Sequence, residues 1–159
     1  MFVDQQTKSL VLRSRDPQRI IDTLGTANAR PLAHPQGNVV VRHNIDVVRI
    51  LRNMGIEAPS PIWNTYAWPG KYQPFDHQRV MADVMTVHPR CFNLSEMGTG
   101  KTYAALWAAD YLMSIGAVKR AVILTPITTM NAVWEQYIFT DSCLVALTVG
   151  TGYFAYVLL

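Results

Sequence analysis

Ser95-Glu96-Met97-Gly98-Thr99-Gly100-Lys101-Thr102 is the stretch of sequence on which the prediction of the fold depends. A short apolar run, Cys91 to Leu94, precedes it, and a long stretch rich in apolar residues follows it. A loop that leaves a strand and enters a helix directs backbone N–H groups and the positive end of the helix dipole at one anion. Glycine suits such a loop because it has no Cβ and readily adopts left-handed dihedral angles. The stretch therefore predicts a strand, a phosphate-binding loop and a helix.

The stretch matches the phosphate-binding pattern G-x-x-x-x-G-K-[ST] except at the first position, where Ser95 replaces glycine. In this pattern Lys101 reaches the β- and γ-phosphates of a nucleotide, and the Thr102 hydroxyl occupies one coordination position of Mg²⁺. The alternative is an ordinary glycine turn between a strand and a helix. The Gly-Lys-Thr triplet at a helix start favours the phosphate site, because it meets several independent requirements of that site together.

The charge of the chain is distributed unevenly. Its 159 residues, half of them hydrophobic, are enough for one domain with a small appendage. Residues 1–55 carry eight basic and four acidic side chains, a net charge of +4, whereas the remaining residues carry six basic and seven acidic ones, a net charge of −1. This asymmetry suggests that residues 1–55 face a polyanion, with nucleic acid the first candidate, and a solvated arginine-rich surface explains it equally well.

The cysteines and the uncharged carboxyl-terminal stretch bear on localisation. Cys91 and Cys143 lie far apart in different predicted strands, so we expect buried thiols in a reducing cytoplasm rather than a disulfide framework. No signal peptide is expected at the amino terminus.

Residues 142–159 carry no charge and approach the length of a membrane span, but Gly150, Gly152 and the β-branched residues favour a buried strand with an irregular end. The prediction is a cytoplasmic protein with no membrane partner.

Residues 1–55 show the pattern of a small basic α/β accessory domain. Strands are predicted at 9–14 and 38–42, separated by a helix that begins at Asp16-Pro17 and by a polar loop. A second helix, capped by Asn44 or Asp46, runs to Met54. Its apolar stripe leaves two arginines on the outer faces. The candidate nucleic-acid contacts of this domain are Arg42, Arg49 and Arg52.

Residues 56–74 are a predicted linker, and residues 75–159 follow a second α/β pattern. The linker is rich in proline and aromatic residues, which could stack on bases or attach the linker to the neighbouring domains, and the second role is favoured.

In residues 75–159, helices and apolar strands alternate, and the run 121–124 is typical of a parallel strand buried on both faces. The first helix has a predicted apolar face of Val80, Met81, Val84, Met85 and Val87. This order predicts a doubly wound parallel sheet with the loop at the carboxyl edge of its first strand.

The residues around the loop resemble those of superfamily-2 helicases, especially the Swi/Snf-type translocases. The stretch 95–102 is similar to motif I, which usually reads Asp-Glu-Met-Gly-x-Gly-Lys-Thr. Phe75-Asp76-His77-Gln78 resembles the Q motif, and 121–126 followed by Trp134-Glu135 resembles motif Ia. The resemblance covers residues 74–150 and is specific in the order and spacing of its motifs.

The resemblance implies a partial RecA-like P-loop lobe that binds ATP and Mg²⁺. It implies that Phe75 and Gln78 contact adenine, that Lys101 is the catalytic lysine, and that Thr102 holds Mg²⁺. The full set of implied cofactor-binding residues is Phe75, Gln78, Met97, Gly98, Thr99, Gly100, Lys101 and Thr102. The resemblance also implies that Thr125 and Pro126 lie beside a nucleic acid, DNA rather than RNA.

The sequence departs from this family in one important respect. A helicase motor needs the Asp-Glu pair of motif II to hold Mg²⁺ and orient water, together with a second lobe that carries arginine fingers, and neither is found before Leu159. Efficient hydrolysis by this chain alone is therefore not expected. We expect a truncated lobe, or one piece of a split protein whose second chain supplies the missing lobe.

Three functions remain open at this point. The first is an ATP-driven DNA helicase or translocase, represented here by its nucleotide-binding lobe. The second is a non-catalytic regulator or decoy that binds nucleotide or nucleic acid. The third is a small P-loop kinase, which the Q-like motif disfavours.

Overall fold

The structure divides the chain into two compact units. This computed structural model describes residues 1–34, 37–141, 147–151 and 154–158. The units are Met1–Tyr66 and Ala67–Leu159, and the division falls inside the segment 56–74 that the sequence predicts as a linker. Both units contain helices and strands, which confirms the α/β class.

The first unit contains a four-stranded antiparallel sheet, in the spatial order β1-β2-β4-β3, and three helices. Its elements are β1 (Phe2–Asp4), β2 (Ser9–Leu12), α1 (Pro17–Leu24), β3 (Ala29–His34), β4 (Gly37–Arg42), α2 (Ile45–Asn53) and α3 (Ile62–Thr65). Asp16 caps α1 by accepting from the Arg19 N–H at 3.1 Å, and Asn44 caps α2 by accepting from the Val47 N–H at 2.9 Å. Both helix starts are therefore as the sequence predicts.

One face of the first sheet forms the core of this unit. Leu10 pairs with Val41 and Leu12 with Val39, and all four side chains are almost completely buried. Because side chains alternate along a strand, these residues share a face. The helices add further buried apolar residues to the same unit, among them Ile20 of α1 and Val48 and Leu51 of α2.

The second unit contains two long helices, a mixed helical stretch and a second antiparallel sheet. Its elements are α4 (Asp76–Val87), α5 (Lys101–Ser114), β5 (Val122–Pro126), α6 (Ile127–Thr129), a π-helix (Met130–Glu135), α7 (Gln136–Asp141), β6 (Leu147–Thr151) and β7 (Phe154–Leu158). The strands lie in the order β5-β7-β6. A hydrophobic cluster of Leu106, Met130 and Ile138 attaches α5 to the helical stretch, and Ile123 of β5 packs against it.

The sequence-based prediction of strands in this unit needs two corrections. Residues 91–94 form no strand, and the side chains of Phe92 and Leu94 are 93% and 91% exposed. Every strand pair among the described residues is antiparallel, so the predicted parallel sheet is not seen there. A strand needs a hydrogen-bonded neighbour as well as apolar residues, and the segment 91–94 has none in the described part of the chain.

Burial on only one side distinguishes β5 from the strand that the sequence predicts. Thr125 is buried and Ile123 packs on the hydrophobic cluster, whereas Val122 and Leu124 are 66% and 73% exposed. The expectation of burial on both faces is therefore wrong for β5. The sequence also predicts a third strand at 144–149, of which the first half, 144–146, lies outside the described residues and the second half falls within β6.

The buried face of α4 also differs from the prediction. Gln78, Ala82 and Thr86 are buried, one helical turn apart, whereas Val80 and Val84 are exposed. The prediction holds for Val87, which is buried, and is wrong for Val80 and Val84. The helix packs mainly against α5, and the small residue Ala82 is fully buried. Cys91 is exposed, which corrects the prediction of a buried thiol, and Cys143 lies outside the described residues.

The aromatic residues at the start of the second unit pack against its helices. Trp68 meets Trp107 edge to face, with ring centroids 5.8 Å apart, and the Arg79 guanidinium lies 5.7 Å from the Trp68 ring. The Trp107 indole N–H donates to the Pro69 carbonyl at 2.9 Å. These contacts favour the interpretation of this stretch as an attached connection. Within the described part of the chain, no helix has the length and apolar character needed to cross a membrane.

Candidate functional site

The loop before α5 has the backbone geometry of an anion-binding turn. Gly98 and Gly100 adopt φ values of +79° and +77°, in the left-handed region that glycine tolerates best. Gly100 is the N-cap of α5, and no side chain caps this helix. An anion at this position would take the place of a side-chain cap, and the helix dipole would attract it.

The Lys101 side chain folds back over the loop and bonds to two of its backbone carbonyls. Its Nζ donates to the carbonyl oxygens of Ser95 at 2.8 Å and Glu96 at 2.6 Å, and the Thr99 hydroxyl donates to the same Glu96 carbonyl at 2.8 Å. The ammonium group is thus held against the loop's own carbonyls, which are hydrogen-bond acceptors as phosphate oxygens are. Thr102, the next residue of the helix, is partly buried.

Gln78 connects the start of α4 to this loop. Its amide nitrogen donates to the Thr99 carbonyl at 3.3 Å, and its amide oxygen accepts from the Phe75 N–H at 3.0 Å. The side chain is only 8% exposed and packs against Gly100, where an added Cβ would overlap the amide nitrogen. The residue predicted to read adenine therefore also positions the phosphate loop.

Phe75 and His77 form a stacked ring pair beside the hydrogen bond between Gln78 and Thr99. The two rings are stacked, with centroids 5.7 Å apart and planes at 10°, and Phe75 is 68% exposed. His77 Nε2 lies 3.1 Å from the Thr99 carbonyl, beside the Gln78 contact. His77 is not among the predicted site residues, although its position between Phe75 and Gln78 at a helix start is a usable signal.

Asn93 holds Ser95, the residue that replaces glycine in the phosphate-binding pattern, through two hydrogen bonds. The Asn93 Oδ1 accepts from the Ser95 hydroxyl at 2.5 Å and from the Ser95 N–H at 3.1 Å. This is an Asx turn, and the Asn-x-Ser spacing is its only signal in the sequence. Met97, also predicted to contact the cofactor, is 97% exposed at the tip of the loop.

The structure does not bring the predicted nucleic-acid contacts of the first unit together. Arg42 is exposed at the end of β4, whereas the other two arginines lie on α2. Arg49 forms a salt bridge with Asp46 at 3.2 Å, and Arg52 donates to the Ala58 carbonyl at 3.0 Å. In the second unit, Thr125 is 6% exposed and Pro126 is exposed.

Comparison with protein-family models, curated proteins and solved structures found no match to this chain. In the described residues there is no group of three or more His, Cys, Asp and Glu side chains placed to hold a metal ion.

Proposed function

We propose that the loop 95–102 binds the phosphates of ATP, and that the chain is the nucleotide-binding lobe of a superfamily-2 DNA helicase or translocase. One observation carries the proposal: the Lys101 ammonium is held by a loop with two left-handed glycines, at the uncapped start of a helix of 14 residues. Each of these features favours an anion, and they occur at one position.

Phosphate binding requires a simple exchange of hydrogen-bond partners. Lys101 gives up the neutral carbonyls of Ser95 and Glu96 for charged phosphate oxygens, and charge-assisted hydrogen bonds are about twice as strong as neutral ones. Thr102 supplies one hydroxyl ligand to Mg²⁺, and the phosphates and water supply the others, which is the usual arrangement for this ion.

Adenine recognition is compatible with the internal role of Gln78. An amide oxygen has two lone pairs and an amide nitrogen carries two hydrogens. Each group can therefore serve the base while it keeps its bond to Phe75 or Thr99. The exposed ring of Phe75 offers a surface on which the base can pack.

The proposal extends to a DNA partner and to a RecA-like sheet. Thr125 and Pro126 at the end of β5, and the arginines of the first unit, are the proposed nucleic-acid contacts. In this proposal a second chain supplies the other helicase lobe. The exposed Phe92 and Leu94, on the segment that leads into the loop, support a sheet that is completed by strands from elsewhere.

The second candidate is a regulator that binds nucleotide without turning it over. It is favoured by the lack of an acidic cluster among the described residues, because hydrolysis needs a carboxylate to orient water and hold the metal. The two candidates share the same ATP site and differ only in turnover.

Equilibrium binding of a fluorescent ATP analogue tests the proposal. We expect Lys101→Ala to weaken binding by at least about tenfold, because one charge-assisted contact is lost. The matched control is Lys119→Ala, at an exposed lysine outside the loop, which should bind like the wild-type chain. Equal affinity of the Lys101 variant and the wild-type chain, with both folded by circular dichroism, would refute the ATP site.

A second measurement separates the two candidates. ATP hydrolysis that DNA stimulates and that Lys101→Ala abolishes would identify a motor. Tight ATP binding without measurable hydrolysis, with and without DNA, would identify the regulator. Phosphate transfer to a small acceptor would support the kinase instead.

A further inference from the structure

A pocket of about 320 Å³ lies at one end of the sheet of the first unit. It is formed where β2 begins, where β3 begins and where β4 ends. Seven of its eleven lining residues are polar or basic, and no carboxylate lines it. This composition is unlike the mostly apolar lining of small-molecule sites and favours an anion.

Three basic residues, one from each of these chain segments, line the pocket: Lys8, Arg30 and Arg42. Arg30 pairs with Val40, and Arg42 lies two residues further along β4, so the two arginines share a face of the sheet. Diagonal neighbours of this kind have Cβ atoms about 7 to 8 Å apart. Both arginine side chains therefore start from the same face of the sheet, within reach of one ligand.

Backbone hydrogen bonds hold the three segments together. The Lys8 carbonyl accepts from the His43 N–H at 2.9 Å, and the Arg42 N–H donates to the Asn28 carbonyl at 2.8 Å. Lys8 itself adopts φ of +49°, a left-handed conformation that is uncommon outside glycine. The backbone positions of Lys8 and Arg42 are thus fixed by hydrogen bonds within the unit.

These three side chains differ from the arginines of α2, which both bond to residues of their own unit. Among the described residues, none of Lys8, Arg30 and Arg42 has a side-chain hydrogen bond or salt bridge. The one carboxylate bonded to the pocket wall is Asp4, which accepts from the Thr7 hydroxyl at 2.7 Å, and this hydrogen bond lowers the pKa of Asp4. Like charges held together without a counter-charge repel, and an anion removes that repulsion.

We propose that this pocket binds the phosphodiester backbone of a nucleic acid, with Arg30 and Arg42 as the principal contacts and Lys8 as a third positive charge. Arginine suits this task because its planar fork can engage two phosphate oxygens at once. The inference deepens the nucleic-acid part of the proposed function by assigning the contact residues. It is independent of the ATP site.

Fluorescence anisotropy of labelled DNA with the full chain, at two salt concentrations, tests the assignment. The double variant Arg30→Gln/Arg42→Gln should weaken binding by at least about tenfold and reduce the salt slope by about 2. The matched control, Arg15→Gln/Arg19→Gln, removes two exposed charges of the same unit outside the pocket and should change binding little. Lys8→Asn removes the third charge and keeps a residue that tolerates the left-handed conformation, so it should weaken binding as well.

Equal losses in the control and in the double variant would overturn the assignment, since net charge alone would then explain binding. A pocket that binds inorganic phosphate while the double variant keeps full DNA affinity would also overturn it. Protection of Arg30 and Arg42 from phenylglyoxal by DNA, in the wild-type chain, tests the same contacts without relying on the folding of a variant. ATP binding measured in parallel shows whether a failure belongs to this pocket or to the nucleotide site.

Discussion

Gln78 and Gly100 form the contact that determines the geometry of the phosphate loop. The amide of Gln78 bonds to the residue before Gly100 and occupies the space where a Cβ at Gly100 would lie. Gly100 also has a φ of +77°, which an L-residue adopts only with strain. Two physical reasons therefore require glycine at this position, and they can be separated by experiment.

We predict that Gly100→Ala lowers the free energy of unfolding by about 2 to 4 kcal/mol, the sum of backbone strain and disrupted Gln78 hydrogen bonds. Gly116→Ala is the matched control, because Gly116 has a similar φ of +72° and nothing within 4 Å of an added Cβ. It should cost only the strain, about 1 to 2 kcal/mol. Urea denaturation followed by tryptophan fluorescence measures both.

The double variant Gln78→Ala/Gly100→Ala, compared with its two single variants in a double-mutant cycle, measures the coupling between these residues. Once the Gln78 side chain is removed, the added methyl group meets no obstacle, so Gly100→Ala should cost no more in this background than Gly116→Ala does in the wild-type chain. Additive losses in the double variant would mean that the two residues are not coupled, contrary to the structure.

The packing of α4 on α5 depends on small residues. Ala82 of α4 and Ala104 of α5 are fully buried, and Ala108 is nearly so. We predict that Ala82→Leu lowers the free energy of unfolding by about 1 to 3 kcal/mol, because the larger side chain overpacks the interface. The same substitution at Ala105, which is only partly buried, is the control and should cost less. Equal effects would show that the buried face of α4 lies elsewhere.

The elements that the sequence predicts correctly have signals contained within a few residues. Asp16 and Asn44 cap their helices, and Gly25 and Gly116 follow the ends of α1 and α5 with left-handed φ values. The start of α5 belongs to this group, since the Gly-Lys-Thr triplet correctly places it at Lys101. Local chemistry determines these features, so the local sequence is sufficient to predict them.

The elements that the sequence analysis missed depend on neighbours in space. β1 and β3 are edge strands, and β3 contains Pro31, which an edge position tolerates. Neither has the alternating pattern that predicts a strand, and pairing to β2 and β4 forms them. The hydrogen bond from Gln78 to the Thr99 carbonyl is likewise missed because it joins residues 21 positions apart.

At the scale of the whole molecule, the two units differ in charge and in the chemistry of their sites. The first has a positive net charge and a pocket with three basic residues, and the second has the uncapped helix and the lysine-containing loop. Both arrangements favour phosphate groups, one in a polymer and one in a nucleotide. This pairing is consistent with the proposed helicase lobe, whose function needs both ligands.

Whether the RecA-like sheet forms within this chain can be decided at Phe92 and Leu94. Their side chains are 93% and 91% exposed, so we predict that Phe92→Ser/Leu94→Ser changes the free energy of unfolding by less than about 1 kcal/mol. If the segment 91–94 were instead the buried central strand that the sequence predicts, the same variant would cost more than about 3 kcal/mol. Leu106→Ser, at a buried position of the second unit, is the positive control and should destabilise strongly. A small loss at residues 92 and 94 beside a large loss at Leu106 would mean that any parallel sheet here needs strands from a second chain, whereas two large losses would contradict the exposed conformation of this segment.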